Sequence, residues 1–311
     1  MYCLSFRLSR LLTFVITTLA ATMSFAGAIK TVHVTGPAHS IVGELSNRSA
    51  SNLGNNATFG VILTQDSVVL VDSGAGTLAA QAIEKQVRTI TDLPISHVIN
   101  SGGQDHRWLG NAYFASLGAT IIASEAAVAD QEERAGDQIG NLTNVLGKDP
   151  LAGLEPVTAS QTFADDLTLD IGGIIFEIHH RGAAHTPGDA WITLPQHSVT
   201  FTGDIAYGER MLGVNGVSDS ASWVEVFQAM TADDSKYLVP GHGHPSDIPT
   251  LTAQSYDYLV HLRAGVGALI DDGGELTDIR QVDQSKFAHL VNYDSISPGN
   301  ALRVFEQMEW E

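Results

Sequence analysis

Four short stretches of this sequence place histidine or aspartate after a run of β-forming residues and in or beside glycines. They are Gln104-Asp105-His106, His185-Thr186-Pro187-Gly188-Asp189, Thr202-Gly203-Asp204 and Val239-Pro240-Gly241-His242-Gly243-His244. Neutral imidazole and carboxylate groups bind zinc-type ions in proteins when thiolates are absent. Glycine lets backbone segments approach one another closely. The four stretches therefore predict a metal site built from His and Asp side chains at the ends of strands.

The surrounding sequence predicts the elements that would carry these stretches. Hydrophobic runs predict strands at residues 58–71 (two runs around a turn at 65–67), 95–100, 119–123, 167–169, 174–179, 190–194, 199–201 and 237–239. Helical patterns occur at residues 78–88, 125–146, 222–230 and about 250–272. Two mixed α/β halves of this kind indicate two sheets packed on each other with helices outside.

Composition and net charge limit the kinds of molecule that the protein is expected to bind. The 311-residue chain has 16 Lys and Arg against 35 Asp and Glu, for a formal net charge of -19. Nucleic acid is excluded as a partner because nothing here supplies the clustered cations that neutralise phosphates. We expect a small-molecule substrate, and the sequence makes no prediction about oligomeric state.

Residues 1–28 are typical of a cleaved signal peptide. Arg7 and Arg10 give a positively charged start, residues 11–21 form an apolar stretch, and a small-x-small cleavage site follows at residues 24–28. Since the apolar stretch is too short to span a bilayer, we expect a periplasmic or secreted protein with no stable membrane insertion after cleavage. A membrane anchor helix is the alternative. Residues 29–311 are expected to form one domain, because no repeat or linker interrupts them.

The single cysteine, Cys3, lies within the predicted signal peptide. The mature chain would therefore contain no thiol. This excludes cysteine nucleophiles, thiolate zinc sites and iron–sulfur clusters, so any metal must be bound by His and carboxylate.

In their order along the chain, these stretches resemble the motifs of the metallo-β-lactamase fold hydrolases. That family runs from Asp-x-Gly through an H-x-H-x-D-H loop with a following Gly-Asn, then H-T-x-G-D, T-G-D and P-G-H-G. The matching stretches here are Asp72-Ser73-Gly74, Asp105-His106 with Gly110-Asn111, His185-Thr186-Pro187-Gly188-Asp189, Thr202-Gly203-Asp204 and Pro240-Gly241-His242-Gly243. The resemblance covers nearly all of residues 29–311. It implies an α/β fold, an αββα four-layer sandwich with two mixed β-sheets packed face to face between outer helices.

The first metal loop departs from the family pattern, and it aligns in two ways. If Asp105 and His106 hold the family's D-H places, the leading histidines are replaced by Ser101 and Gly103. If the flanking Asn and Gly-Asn are aligned without a gap, the leading histidines become Gly102 and Gln104, His106 takes the aspartate place and Arg107 takes the last histidine place. We favour the first alignment because arginine stays protonated and cannot coordinate a metal. Both alignments lack the two leading histidines.

The resemblance also implies a ligand set. In the family, the first metal uses the two leading histidines and the histidine of H-T-x-G-D, so that pocket would retain only His185. The second metal uses the D-H pair and the late histidine, with the T-G-D aspartate bridging, so that pocket would retain Asp105, His106, Asp204 and His242. We therefore expect one ion rather than two. Zinc is expected first, and iron or manganese suits the same ligand types.

These features predict an exported metal-dependent hydrolase that cleaves an amide, lactam, ester or thioester with metal-activated water. Asp105 or His185 would take the proton from the attacking water. Two alternatives remain open, because a fold alone does not fix a reaction. One is a catalytically degenerate periplasmic protein that binds a metal or ligand, and the other is a metal oxidoreductase on the same fold.

Overall fold

Long apolar runs form two mixed β-sheets in the structure, a computed structural model that describes residues 29–311. Residues 1–28, on which the signal-peptide prediction falls, lie outside the described residues. The first sheet follows chain order: β1 (Lys30–Thr35), β2 (Ala38–Val42), β3 (Thr58–Leu63), β4 (Val68–Val71), β5 (Ile95–Ile99), β6 (Thr120–Ser124) and β7 (Gln161–Phe163). Its strands pair antiparallel from β1 to β4 and parallel from β4 to β7.

The second sheet has five strands and ends on a parallel pair. Its strands are β8 (Asp166–Ile171), β9 (Ile174–His180), β10 (Ala190–Leu194), β11 (Val199–Tyr207) and β12 (Tyr237–His242), in the spatial order β12-β11-β10-β9-β8. Strands β8 to β11 pair antiparallel, and β12 lies parallel to β11. The carboxyl ends of β11 and β12 therefore lie side by side at one edge of the sandwich.

The two sheets pack face to face over a shared apolar core. Val69 and Ile122 of the first sheet belong to the same buried cluster as Ile192 and Phe201 of the second. Side chains alternate across a strand, and in β4 the intervening Leu70 enters a separate cluster on the outer face. Because both faces of β4 are covered, its sequence is an unbroken apolar run rather than an alternating one.

Helices cover both outer faces. They are α1 (Thr77–Val87), α2 (Asp105–Trp108), α3 (Asn111–Ser116), α4 (Glu125–Leu146), α5 (Ser220–Thr231), α6 (Ile248–Leu251), α7 (Asp257–Asp271) and α8 (Tyr293–Met308). Ile83 of α1 and Phe114 of α3 pack on the first sheet. Trp223 of α5, Leu262 of α7 and Val304 of α8 pack on the second. The predicted arrangement of two mixed sheets between helices is confirmed.

Local capping explains where the long helix α4 begins and ends. Ser124 accepts a hydrogen bond from the Ala127 N–H, which satisfies a free donor of the first turn. The helix ends at Gly147, whose φ of 85° is a conformation that favours glycine. The predicted range of residues 125–146 is confirmed. Among the helices of residues 29–311, none is long and apolar enough to cross a membrane.

Candidate metal centre

Three buried side chains from different elements converge below one cavity. His106 lies in α2, Asp204 in β11 and His242 at the end of β12. His106 Nε2 is 3.3 Å from Asp204 Oδ2, and His242 Nε2 is 3.4 Å from Asp204 Oδ1. Their three potential ligand atoms all lie within 4.8 Å of one another, and no other such group occurs in residues 29–311.

The polypeptide backbone brings these groups together at the carboxyl ends of β11 and β12. Gly241 directly precedes His242 and lies close to Asp204 and Arg107. A Cβ on Gly241 would be 2.6 Å from Arg107 Nη2 and 2.7 Å from Asp204 Oδ1. No larger residue fits without moving the Asp204 side chain. The glycine of the P-G-H stretch therefore permits the close approach that the cluster needs.

The donor set fits one metal ion. Ligand bonds of about 2.0–2.1 Å in a tetrahedral site place neighbouring ligand atoms roughly 3.3 Å apart. His106 Nε2 lies 3.3 Å from Asp204 Oδ2 and His242 Nε2 lies 3.4 Å from Asp204 Oδ1, so each histidine is about one such edge from a different oxygen of the carboxylate. His242 Nδ1 lies 2.7 Å from the Asn56 carbonyl and donates to it, which leaves the Nε2 lone pair free. His106 Nε2 is buried and has no hydrogen-bond partner within residues 29–311.

The other ring nitrogen of His106, Nδ1, lies close to one hydrogen-bond donor and one acceptor. Its Nδ1 lies 2.6 Å from Arg48 Nη2, a donor, and 3.1 Å from Asp105 Oδ1, an acceptor. With Nδ1 accepting from Arg48, the ring proton is on Nε2 and points towards Asp204. With Nδ1 donating to Asp105, the Nε2 lone pair is available for a metal. The two tautomers correspond to a metal-free and a metal-binding cluster.

Arg107 is fully buried and connects the cluster to the end of β4. Its Nε lies 3.1 Å from Asp204 Oδ2 and its Nη2 2.6 Å from Asp204 Oδ1. Its Nη1 donates to Asp72 Oδ2 at 2.8 Å, and further bonds reach the Thr58 and Gly241 carbonyls. Since a carboxylate offers about four lone-pair positions, each Asp204 oxygen retains one for a metal. Burial raises the pKa of Asp204, but Arg107 and then His106 outweigh it, and the net pKa is well below the usual value.

Asp105, predicted as both a ligand and a base, lies outside the cluster. It forms a partly buried ion pair with Arg48, and its Oδ1 accepts from the His106 backbone N–H at 2.7 Å. Burial raises the pKa of Asp105, whereas Arg48 and then His106 lower it, so that the net pKa is below the usual value. Arg48 satisfies this carboxylate, which holds His106 from behind instead of joining Asp204 and His242. Such a placement corresponds to the second alignment of the first metal loop, with His106 in the aspartate place and Arg107 in the place after it.

His185, the fifth predicted site residue, also lines the cavity but is not a member of the three-residue cluster. Its Nδ1 donates to the Gly213 carbonyl at 2.8 Å, so its Nε2 is an acceptor, 3.4 Å from the Asn215 amide nitrogen. The ring lies edge-on to Trp223, with centroids 5.6 Å apart. Burial, partly opposed by Asp204, lowers the pKa of His185 to about 4. The imidazole is therefore neutral at pH 7.

The loop that lacks the two leading histidines is packed tightly against its neighbours. A Cβ on Gly102 would overlap Asp189 Oδ1, and a Cβ on Gly103 would overlap Asp130 Oδ2. The Gly103 carbonyl accepts from Gln138 Nε2 at 2.8 Å, and its N–H donates to Thr186 Oγ1 at 3.1 Å. Carboxylates and backbone contacts thus occupy the space around these glycines.

The cavity above the cluster has a volume of about 620 Å³, and three arginines, Arg48, Arg134 and Arg210, are among its lining residues. The sequence had not singled out Arg48, Arg210, Tyr207 or Asn215, which all line it. Tyr207 stacks on His242 with ring centroids 4.6 Å apart. Its position three residues after Asp204 gave no signal, because a regular strand places such residues on opposite faces. The register of β11 shifts between Gly203 and Tyr207, and sequence periodicity does not indicate that shift. Arg48 and Asn215 lie in loops, where no periodicity indicates direction.

Comparison with known proteins assigns the chain to a family. A sequence model described as the metallo-beta-lactamase superfamily matches residues 54–242, more than half of the 311 residues. No curated protein matches the sequence. The protein belongs to the metallo-β-lactamase superfamily, as its sequence motifs had indicated.

Solved structures agree on the fold. A metallo-beta-lactamase from Pontibacter korlensis is 20% identical, with a TM-score of 0.61, over 75% of this chain and 99% of that chain. The DIM-1 metallo-beta-lactamase is 14% identical, with a TM-score of 0.58, over 75% and 97%. A double mutant of the sec-alkyl sulfatase PisA1 is 16% identical, with a TM-score of 0.69, over 90% of this chain and 50% of the sulfatase. At these identities the likeness concerns the fold alone.

Proposed function

We propose that this protein is a hydrolase that uses one metal ion held by His106, Asp204 and His242. The observation that carries the proposal is the buried His106 Nε2, which has no hydrogen-bond partner among the described residues and lies 3.3 Å from Asp204 Oδ2. A buried imidazole nitrogen without a partner is costly unless a ligand completes its environment. The superfamily match supports the same reading. Zinc is the ion proposed first, and iron or manganese suits the same donors.

The bound ion would supply Lewis acidity at the floor of the cavity, towards a substrate carbonyl and towards water. The chain's own groups would hold and move the proton. His185 is neutral, its Nδ1–H is fixed on the Gly213 carbonyl, and its Nε2 lone pair can accept a proton from water. Asp105 is engaged by Arg48 and is therefore the weaker candidate for this base. The substrate class is an amide, lactam, ester or thioester.

The test is turnover of an ester, thioester, lactam and amide panel by protein loaded with Zn²⁺, Mn²⁺ or Fe²⁺. We expect activity with one of these ions and none in His242→Ala. His244→Ala is a matched control, because His244 is exposed and pairs with Glu209 rather than with the cluster. An active His242→Ala variant would refute the proposal.

A second candidate function, a ligand-binding protein without catalysis, is favoured by the Arg107–Asp204 ion pair. Arg107 already supplies a cation to both oxygens of Asp204 and thus opposes a further positive charge. Under this candidate the purified protein would hold no metal and would turn over no member of the panel, yet would bind a small molecule in the cavity.

We also propose export to the periplasm or medium after cleavage of residues 1–28, which the sequence of that segment supports. Expression of the full chain followed by N-terminal sequencing tests it. A start between residues 27 and 29 is expected, whereas retention of Met1 in a cytoplasmic fraction would contradict it.

A further inference from the structure

One buried arginine in the cavity wall, Arg210, has no carboxylate partner among the residues that the structure describes. Within residues 29–311, two arginines are buried, Arg107 and Arg210. Arg107 pairs with Asp72 and Asp204. No carboxylate of residues 29–311 forms an ion pair with Arg210, although Arg210 is only 6% exposed. The two buried guanidiniums therefore differ in how their charge is compensated.

The hydrogen bonds of Arg210 are few and go to neutral groups. Its Nη1 donates to the Ser46 carbonyl at 3.2 Å, and its Nη2 makes a long contact of 3.4 Å with Asn47 Oδ1. Its Nε is buried and has no partner within residues 29–311. A guanidinium carries five N–H donors in a planar fork. Most of this donor capacity is left without an acceptor.

The surroundings of Arg210 make this arrangement unfavourable unless an anion completes it. Burial lowers the pKa of Arg210, and the nearby Arg48 lowers it further, partly opposed by Tyr207 and by the more distant charge of Asp204. Arg48 itself is compensated by Asp105, and Arg134, the third arginine of the cavity lining, by Asp130. A buried charge without a compensating partner is strongly unfavourable. Among the three arginines of the cavity lining, Arg210 is thus the one that forms no ion pair with a carboxylate of residues 29–311.

We propose that Arg210 binds an oxyanion group carried by the substrate, of the carboxylate or sulfate type. The planar fork of arginine matches the paired oxygens of such groups. Arg210 lines the same cavity as His106 and His242 of the metal cluster. This cavity, of about 620 Å³, has room for a small molecule that reaches both Arg210 and the cluster. That the anionic group belongs to a substrate rests on the proposed function. Binding of the anion itself requires neither a metal nor turnover.

The experiment uses a matched pair of probes on metal-free protein. Monomethyl phthalate carries one carboxylate, whereas dimethyl phthalate has the same skeleton without charge. Binding of both is measured by isothermal titration calorimetry to wild type, Arg210→Gln, Arg210→Lys and the control Arg303→Gln. Arg303 is exposed and pairs with Glu306, so its substitution removes the same charge outside the cavity.

We expect wild type and Arg303→Gln to bind the monoester about tenfold or more tightly than the diester, as a charge-assisted bond supplies. The preference should vanish in Arg210→Gln and shrink in Arg210→Lys, which keeps the charge but loses the fork. Inorganic sulfate should displace the monoester from wild type. An equal preference in Arg210→Gln would overturn the proposal.

Sulfate binding without any preference for the monoester would also overturn it, since the site would then hold a free inorganic anion. Failure of the proposed hydrolase is a separate outcome. A protein that shows the Arg210-dependent preference but hydrolyses no ester, thioester, lactam or amide retains the anion site and loses only the catalytic assignment.

Discussion

Arg107 bonds both carboxylate oxygens of Asp204, with its Nε 3.1 Å from Oδ2 and its Nη2 2.6 Å from Oδ1. The same guanidinium donates to Asp72 at 2.8 Å. In the ungapped alignment of the first metal loop, Arg107 stands where the superfamily pattern has a histidine. The Arg107 guanidinium is therefore a fixed cation beside Asp204. A metal ion held by His106, Asp204 and His242 would lie next to it.

Replacement of Arg107 by alanine should strongly destabilise the metal-free protein. Asp72 and Asp204 are each 1% exposed, and both would be left as buried carboxylates without a cation. Loss of one partner from a buried ion pair typically costs about 3–5 kcal/mol. The measurement is the free energy of unfolding in urea at pH 7. Arg107→Lys should lose less, because it keeps the charge while reaching fewer of the acceptors.

Arg303→Ala is the control for Arg107→Ala, since it removes an exposed arginine and should change the unfolding free energy by at most about 0.5 kcal/mol. If Arg107→Ala is as stable as this control, Arg107 does not hold the two carboxylates together.

Gly103→Ala should be destabilising, whereas Gly140→Ala should not. A Cβ on Gly103 would overlap Asp130 Oδ2, and Arg134 fixes that carboxylate with an Nε contact of 2.6 Å. Overpacking of this kind costs about 1–3 kcal/mol. Gly140 is exposed within α4 and has open space at its Cβ, so alanine there should stabilise by about 0.5–1 kcal/mol. Thermal unfolding of the two variants gives the comparison.

The cause of the Gly103→Ala effect can be checked with Asp130→Ala, which removes the overlapping carboxylate. In that background Gly103→Ala should cost markedly less than in wild type. Equal costs in the two backgrounds would show that the strain lies elsewhere.

Asp189 should make the protein less stable as the pH rises. Burial and then the charge of Asp204 raise the pKa of Asp189 to about 8, from an unfolded value of 3.8. Between these values the folded state retains a proton that the unfolded state has lost, so unfolding becomes easier by up to about 1.4 kcal/mol per pH unit. Below pH 4 this penalty is absent. Asp189→Asn should remove that part of the slope.

The measurement for Asp189 is urea unfolding of metal-free wild type and Asp189→Asn between pH 5 and 8, with the exposed Asp271→Asn as control. Parallel curves for wild type and Asp189→Asn would mean that Asp189 is ionised in the folded protein.

Much of the architecture could be predicted because buried strands and capped helices leave local signals. The runs at β3 and β4 and the helix α4 lie where the sequence had indicated. Strand β11 extends to Tyr207, beyond the predicted residues 199–201, because it continues with irregular register through Thr202, Gly203 and Asp204. Strands β1 and β2 and helix α8 had no predicted counterpart, and β1 has no fully buried side chain to give a strong pattern.

Part of the site could be predicted from the order of motifs along the chain, not from local periodicity. Motif order identified His106, Asp204 and His242, which the structure brings together, and His185, which lines the same cavity. The remaining contacts of the site are made between side chains that lie far apart in the sequence. Arg48 reaches Asp105 across 57 positions, and Arg107 reaches Asp204 across 97. No spacing rule in one sequence indicates such partners.

His185→Ala should retain metal but lose most turnover under the proposed function. Removal of a positioned general base typically lowers the rate by about 10²–10⁴-fold. Because burial lowers the pKa of His185 to about 4, this residue is deprotonated throughout pH 6–8 and contributes no pH dependence to kcat/KM there. It would lose its function as a base only near pH 4. A His185→Ala enzyme with wild-type kcat would assign the proton transfer to another group.

The most direct test of the central claim is metal content per chain, by elemental analysis of wild type, His106→Ala, His242→Ala and His185→Ala equilibrated with one equivalent of Zn²⁺ and then desalted. We predict one ion in wild type and in His185→Ala, and none in His106→Ala or His242→Ala. Absence of metal from wild type, or retention of the ion by His242→Ala, would contradict a site built from His106, Asp204 and His242.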